Sequence, residues 1–139
     1  MILRIPADLL KKVEKHAVRE YPYECCGLLL GRMGEEEAVV LQVLEARNVY
    51  PGDRRAGYLV DPLEYYRAEL RAEAEDVEVL GIYHSHPDKP AKPSKKDESE
   101  AYRGYLYLIV SVYNHAVKDV KVWRLGSEKV FEPVELIVL

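Results

Sequence analysis

Five apolar runs of strand length, broken up by glycine, proline, asparagine or charged clusters, constrain what this chain can become: Cys25 to Leu30, Ala38 to Leu44, Val77 to Tyr83, Leu106 to Val112 and Val117 to Trp123. Short continuous apolar runs of this kind read as strands buried on both faces. The first two are joined by Gly34 and three glutamates and predict a hairpin; the last two turn around Asn114. Met1 to Ile5 and Phe131 to Leu139 add a strand at each end. Leu9, Leu10, Val13, Ala17 and Tyr21 recur at helical spacing up to Pro22. Asp61 followed by Pro62 offers an N-cap with proline at the first helical position, starting a second helix that runs to about Ala74. A short third helix is expected from about Ser94. Helices interspersed among strands predict an α/β layered domain with a mixed sheet, and pattern alone leaves the strand order open.

A chain of 139 residues is long enough to bury a core without disulfides and too short to divide in two, so residues 1–139 are expected to form a single domain. The net charge of −4 shows no basic excess and argues against a nucleic-acid partner. Tyr105 to Tyr113, the longest strongly apolar stretch, falls well short of the roughly 20 residues of a membrane span. Arg4, Asp8, Lys11 and Lys12 break up the N-terminus, which leaves no hydrophobic secretory segment and predicts a cytoplasmic location. The neighbours Cys25 and Cys26 make neither a disulfide framework nor a Cys-x-x-Cys motif and read as reduced thiols. The chain has no threonine, Gln42 is its only glutamine, and lysine, arginine and glutamate abound, a bias of proteins from hot environments.

Chemistry concentrates after the third run. In His84-Ser85-His86 the two imidazoles are two residues apart at a strand end, where an extended backbone sends both to one side. Two imidazoles leave a tetrahedral zinc site wanting a third protein ligand and an open position. Asp97, across a loop punctuated by Pro87, Pro90 and Pro93, is a suitable oxygen donor. Hydrolysis of an amide also needs a group that takes the water proton and returns it to the leaving amine, a task suited to a carboxylate. Glu24, just before the first apolar run, is a candidate. Ser94, at the start of the third helix, can donate a hydrogen bond to a developing oxyanion.

These residues resemble the signature of the JAMM metalloproteases, also called MPN-plus domains: His84-Ser85-His86, seven residues, Ser94, two residues, Asp97. The segment Glu24-Cys25-Cys26-Gly27-Leu28-Leu29-Leu30-Gly31 is similar to that family's glutamate-bearing strand. The resemblance implies an α/β sandwich with a curved mixed β-sheet flanked by helices, as in cytidine-deaminase-like folds. It implies one zinc ion per chain held by His84, His86 and Asp97, with Glu24 as acid and base and Ser94 at the oxyanion. The run His84 to Asp88 resembles the compact prokaryotic branch, whose members act on ubiquitin-like or sulfur-carrier proteins with a Gly-Gly tail. The implied reaction is cleavage of an isopeptide bond to lysine or of an amide to cysteine after that tail.

Blander readings exist for each element. Ser94-x-x-Asp97 is also a helix-capping pattern, and the two roles are compatible. His84 and His86 as a chance surface pair fit poorly with only four histidines in the chain. Cys25 or Cys26 as a thiol nucleophile is disfavoured by their apolar setting. His16 and His115 read as structural or solvated, and the Cys-x-x-Cys of zinc deaminases is missing. In the loop from Arg47 to Gly57, a candidate groove wall, Arg54 and Arg55 are placed to meet an acidic partner. A non-catalytic MPN-type binding scaffold is the alternative function, and a general peptidase a third; a scaffold would be expected to lack the ligand set.

Overall fold

The computed structural model describes residues 1–139 and contains β1 (Ile2–Ile5), α1 (Ala7–Glu20), β2 (Cys26–Met33), β3 (Glu37–Ala46), α2 (Pro62–Ala74), β4 (Glu78–Pro87), α3 (Lys95–Glu100), β5 (Leu106–Tyr113), β6 (Ala116–Leu125) and β7 (Phe131–Val138). Every strand and helix expected from the pattern is present. The main difference lies in β4, which does not stop at Tyr83 but runs through both histidines to Pro87. Its backbone stays paired on two sides: Cys26 of β2 lies opposite His84, and His84 to Pro87 lie beside Ile109 to Val112 of β5.

The strands follow the order β1-β3-β2-β4-β5-β6-β7 and close into a barrel. β4 and β5 are parallel, β1 is parallel to both β3 and β7, and the remaining pairs are antiparallel. The expected curved, mixed sheet flanked by helices is therefore found, with its curvature carried to closure by β1.

Continuous apolar runs arise because each central strand serves two layers. Leu3, Ile5, Leu29, Leu108 and Val110 pack with Val13 and Ala17 of α1. Leu28, Leu30, Ile82 and Tyr107 pack with Ala68 and Ala72 of α2 on the other side. Fully burying a leucine of this kind contributes about 1.5–3 kcal/mol. Gly81 lets β4 lie close against β5, since a Cβ there would lie 1.8 Å from the Leu106 carbonyl oxygen. Asp61 caps α2 by accepting the Leu63 N–H at 3.0 Å, as the sequence suggests. No helix is long and apolar enough to cross a membrane.

Candidate metal centre and its surroundings

The extension of β4 carries His84 and His86 onto one side of the strand, both with under 3% of their surface exposed. Across the proline-rich loop, Ser94 caps α3 and places Asp97 in its first turn. The three donor atoms converge: His84 Nε2 to His86 Nε2 is 3.1 Å, His84 Nε2 to Asp97 Oδ2 is 3.3 Å, and His86 Nε2 to Asp97 Oδ2 is 3.1 Å.

Tautomer chemistry shows what this cluster needs. His86 Nδ1 lies 2.9 Å from the Pro90 carbonyl oxygen, an acceptor only, so Nδ1 carries a proton and the ring turns its Nε2 towards the other donors. Two imidazole nitrogens and a carboxylate oxygen gathered within 3.3 Å of one another require a cation or a proton at the centre. Zinc bonded to nitrogen and oxygen at about 2.0–2.2 Å in tetrahedral geometry sets its donors about 3.3 Å apart, which matches the observed triangle. The residues present fit a metal ion. Burial alone would push the Asp97 carboxyl up, but the adjacent His84, with hydrogen bonds from the site, holds it well below the usual carboxylate range.

Ser94 and Asp97 form a reciprocal capping box. The Asp97 N–H donates to Ser94 Oγ at 3.1 Å, and the Ser94 N–H donates to Asp97 Oδ2 at 2.8 Å, the same oxygen that faces the histidines. Ser94 Oγ thus uses a lone pair for the cap and keeps its proton for another acceptor.

Strand register brings in Glu24. Because Cys26 pairs with His84 in an antiparallel ladder, Glu24 comes opposite His86 despite the long intervening sequence. Cys25 N–H donates to Ser85 Oγ at 2.8 Å and Ser85 N–H to the Cys25 carbonyl at 3.2 Å, locking that register between the histidines. Glu24 is 3% exposed; its Oε1 has no partner and its Oε2 lies 3.6 Å from Lys89 Nζ. Burial raises its pKa above the ordinary value, and the proximity of His84, His86 and Lys89 opposes that rise. The backbone of Glu24 is held by the 47–60 loop. Its N–H donates to the Arg54 carbonyl at 2.8 Å, and Asn48 Nδ2 donates to its carbonyl at 3.0 Å.

All five residues singled out from the sequence therefore gather at one place. The other candidates do not. Burial pushes the Cys25 thiol up to about 12 and the Cys26 thiol higher still, which keeps both protonated and unreactive. His16 is buried against Tyr83. Arg55 is paired with Asp53 at 3.1 Å, and the Arg54 guanidinium lies over the Tyr23 ring. Sequence reasoning missed Tyr58, whose ring stacks on His84 with centroids 4.4 Å apart, and also Asn48 and Lys89. No short motif carries any of them; only the fold brings them to the site. Tyr58 also lines an open cleft of about 690 Å³ with Tyr50, Tyr65, Tyr102, Tyr107 and Lys96, so one ring borders both the cleft and His84.

The profile of prokaryotic homologs of the JAB domain matches residues 6–126. A probable TtuB-protein conjugate cleaving protease of Thermus thermophilus is 39% identical over 109 residues, spanning 78% of this chain and 70% of its own length. A desampylase of Pyrococcus furiosus is 33% identical over 137 residues, 98% of this chain and 90% of its own. A CysO-cysteine peptidase of Mycobacterium tuberculosis is 28% identical over 145 residues, 98% and 92% respectively. Among solved structures, a protein from Desulfitobacterium hafniense superposes with a TM-score of 0.86 at 26% identity, covering 99% of this chain and 93% of that one. A JAB1/MPN domain protein from Archaeoglobus fulgidus superposes with a TM-score of 0.60 at 22% identity, covering 99% and 96%, a likeness of fold.

Proposed function

This chain belongs to the compact prokaryotic JAB-domain (JAMM) family and is a hydrolase of the protease kind, and from that premise we propose that it cuts an amide or isopeptide bond after the C-terminal Gly-Gly of a ubiquitin-like or sulfur-carrier protein. The convergence of His84, His86 and Asp97 donors at 3.1–3.3 Å beside the buried Glu24 carries this reading. The names of the relatives, which speak of cleaving protein conjugates and a carrier–cysteine adduct, support the substrate class.

His84, His86 and Asp97 would hold one zinc ion per chain. Bound there, zinc supplies Lewis acidity towards the scissile carbonyl and makes water a nucleophile near neutral pH. Glu24 takes the proton of the attacking water on its unpartnered Oε1 and passes it to the leaving nitrogen. Its raised pKa brings it closer to the pH at which it must both accept and donate. Ser94 donates a hydrogen bond from its hydroxyl to the oxyanion of the tetrahedral intermediate while its lone pair keeps the α3 cap. The Gly-Gly tail, thin enough for a narrow approach, reaches the ligands along the tyrosine-lined cleft beside Tyr58. Residues 1–139 act as a single domain, in the cytoplasm, without a nucleic-acid partner.

The test compares wild type with Glu24→Gln on a carrier protein bearing either a C-terminal cysteine or a lysine-linked partner. The variant is expected to keep its zinc and lose at least about 100-fold in kcat, the scale of general acid–base catalysis. Equal rates in the two proteins would remove Glu24 from the mechanism. A folded wild type that binds no zinc and cleaves neither substrate would favour a binding scaffold instead.

A further inference from the structure

Lys89 stands beside Glu24 and has no part in the reading above. Its side chain is 37% exposed where that of Glu24 is 3% exposed, so the ammonium group sits towards the mouth of the site and the carboxylate at its floor, 3.6 Å apart. The surrounding loop is pinned on all sides. Asp88, at a φ of 57°, donates its N–H to the Val112 carbonyl at 2.8 Å and accepts the Tyr21 hydroxyl at 2.7 Å. Ser111 Oγ donates to the Lys89 carbonyl at 2.5 Å, and Trp123 Nε1 to the Ala91 carbonyl at 3.0 Å. The backbone is fixed, and the Lys89 side chain has Glu24 as its one ion-pair partner.

From these positions we propose that Lys89 is a specificity residue that receives the α-carboxylate of a leaving amino acid, so that this chain favours carrier–amino acid adducts over lysine isopeptides. The inference rests on the functional reading above and sharpens it. The leaving nitrogen takes its proton from Glu24 and so sits about 2.6–3.2 Å from that carboxylate. In a free-ended amino acid the carboxylate oxygens lie about 2.7–3.6 Å from the same nitrogen, a span fixed by three covalent bonds and one rotation. The carboxylate then falls within reach of Lys89 Nζ. In a lysine isopeptide the leaving nitrogen ends a four-carbon stem, and no anion of the leaving group comes near. A lysine suits the task because its compact ammonium has three donors and can keep one on Glu24 while offering others to the new carboxylate.

The experiment uses the zinc-loaded full chain and one carrier ending in Gly-Gly, joined to a C-terminal cysteine, to the same cysteine as its carboxamide, or to a peptide lysine side chain. The quantity read is the ratio of kcat/KM for the cysteine adduct to that for the isopeptide. Lys89→Met is expected to lower this ratio tenfold or more, and Lys89→Arg to restore the greater part of it. In wild type the carboxamide is expected to lose the same advantage, and in Lys89→Met to lose nothing further. A ratio unmoved by Lys89→Met, a parallel fall on all three substrates, or a carboxamide cleaved as fast as the acid by wild type would each overturn the inference. Zinc-loaded wild type that cleaves none of the three would instead overturn the functional reading itself, and the inference with it.

Discussion

At Ser94 one oxygen caps a helix and, in the mechanism we propose, also serves the oxyanion, and the two roles separate experimentally. Its lone pair accepts the Asp97 N–H to cap α3, while its proton is not used by the cap. Ser94→Ala removes both, so we predict a loss of about 1 kcal/mol in unfolding free energy with a fall of roughly 100-fold or more in kcat. Ser94→Asn retains a capping oxygen but no hydroxyl; denaturation and steady-state rates on the pair should show stability restored and activity still lost. A variant that recovered both would reduce Ser94 to a cap. His84, His86, Ser94 and Asp97 were legible in the sequence because one strand, one rigid loop and one helical turn hold them together. Glu24 was legible almost wholly through family resemblance, since its place depends on the pairing of Cys26 with His84. Lys89 and Tyr58 were not legible, because their neighbours come from other elements.

Among the elements, α1 docks on the barrel partly through a polar contact: His16 Nδ1 lies 2.7 Å from the Tyr83 hydroxyl, buried in an apolar cluster. Burial lowers the His16 pKa, while Glu45 pulls it back up. A histidine whose folded pKa lies below its unfolded value of about 6.5 contributes stability that is fully present above that pH and lost as pH falls through the folded pKa. Urea midpoints should therefore drop as the pH is lowered from 7 to 5, and His16→Gln should flatten that slope; an unchanged slope would show that His16 does not titrate between the states. The 47–60 loop hangs on Asn48. Its Nδ2 donates to the Glu24 and Gly57 carbonyls, and its Oδ1 accepts the Tyr50 and Leu59 N–H groups, all at 3.0–3.1 Å. Asn48→Ala leaves those groups unpaired and should cost about 1–3 kcal/mol by denaturation. It should also lower kcat with zinc content intact, because Glu24 loses its anchor. A stability loss without a rate change would separate the loop from catalysis. The sequence showed Arg47 to Gly57 as a loop through Pro51, Gly52 and its charged cluster, but not that one asparagine organises it.

For the molecule as a whole, strand positions were readable from short apolar runs, yet closure of the barrel was not. It depends on β1 lying parallel to both β3 and β7, which joins the two ends of the chain, and pairing over such distances leaves no local pattern. Closure removes the exposed sheet edges that favour aggregation. Together with the scarcity of Gln, Asn and Thr and the abundance of Lys, Arg and Glu, it leads us to expect a thermal midpoint above the roughly 45–65 °C of mesophile domains; calorimetry giving a value inside that range would contradict this. The central claim is that His84, His86 and Asp97 form one metal site, and metal analysis of the purified chain tests it most directly. The account predicts one zinc per chain in wild type and its loss in a folded His86→Ala variant. A folded wild type that takes up no zinc, or a His86→Ala variant that holds as much as wild type, would contradict it.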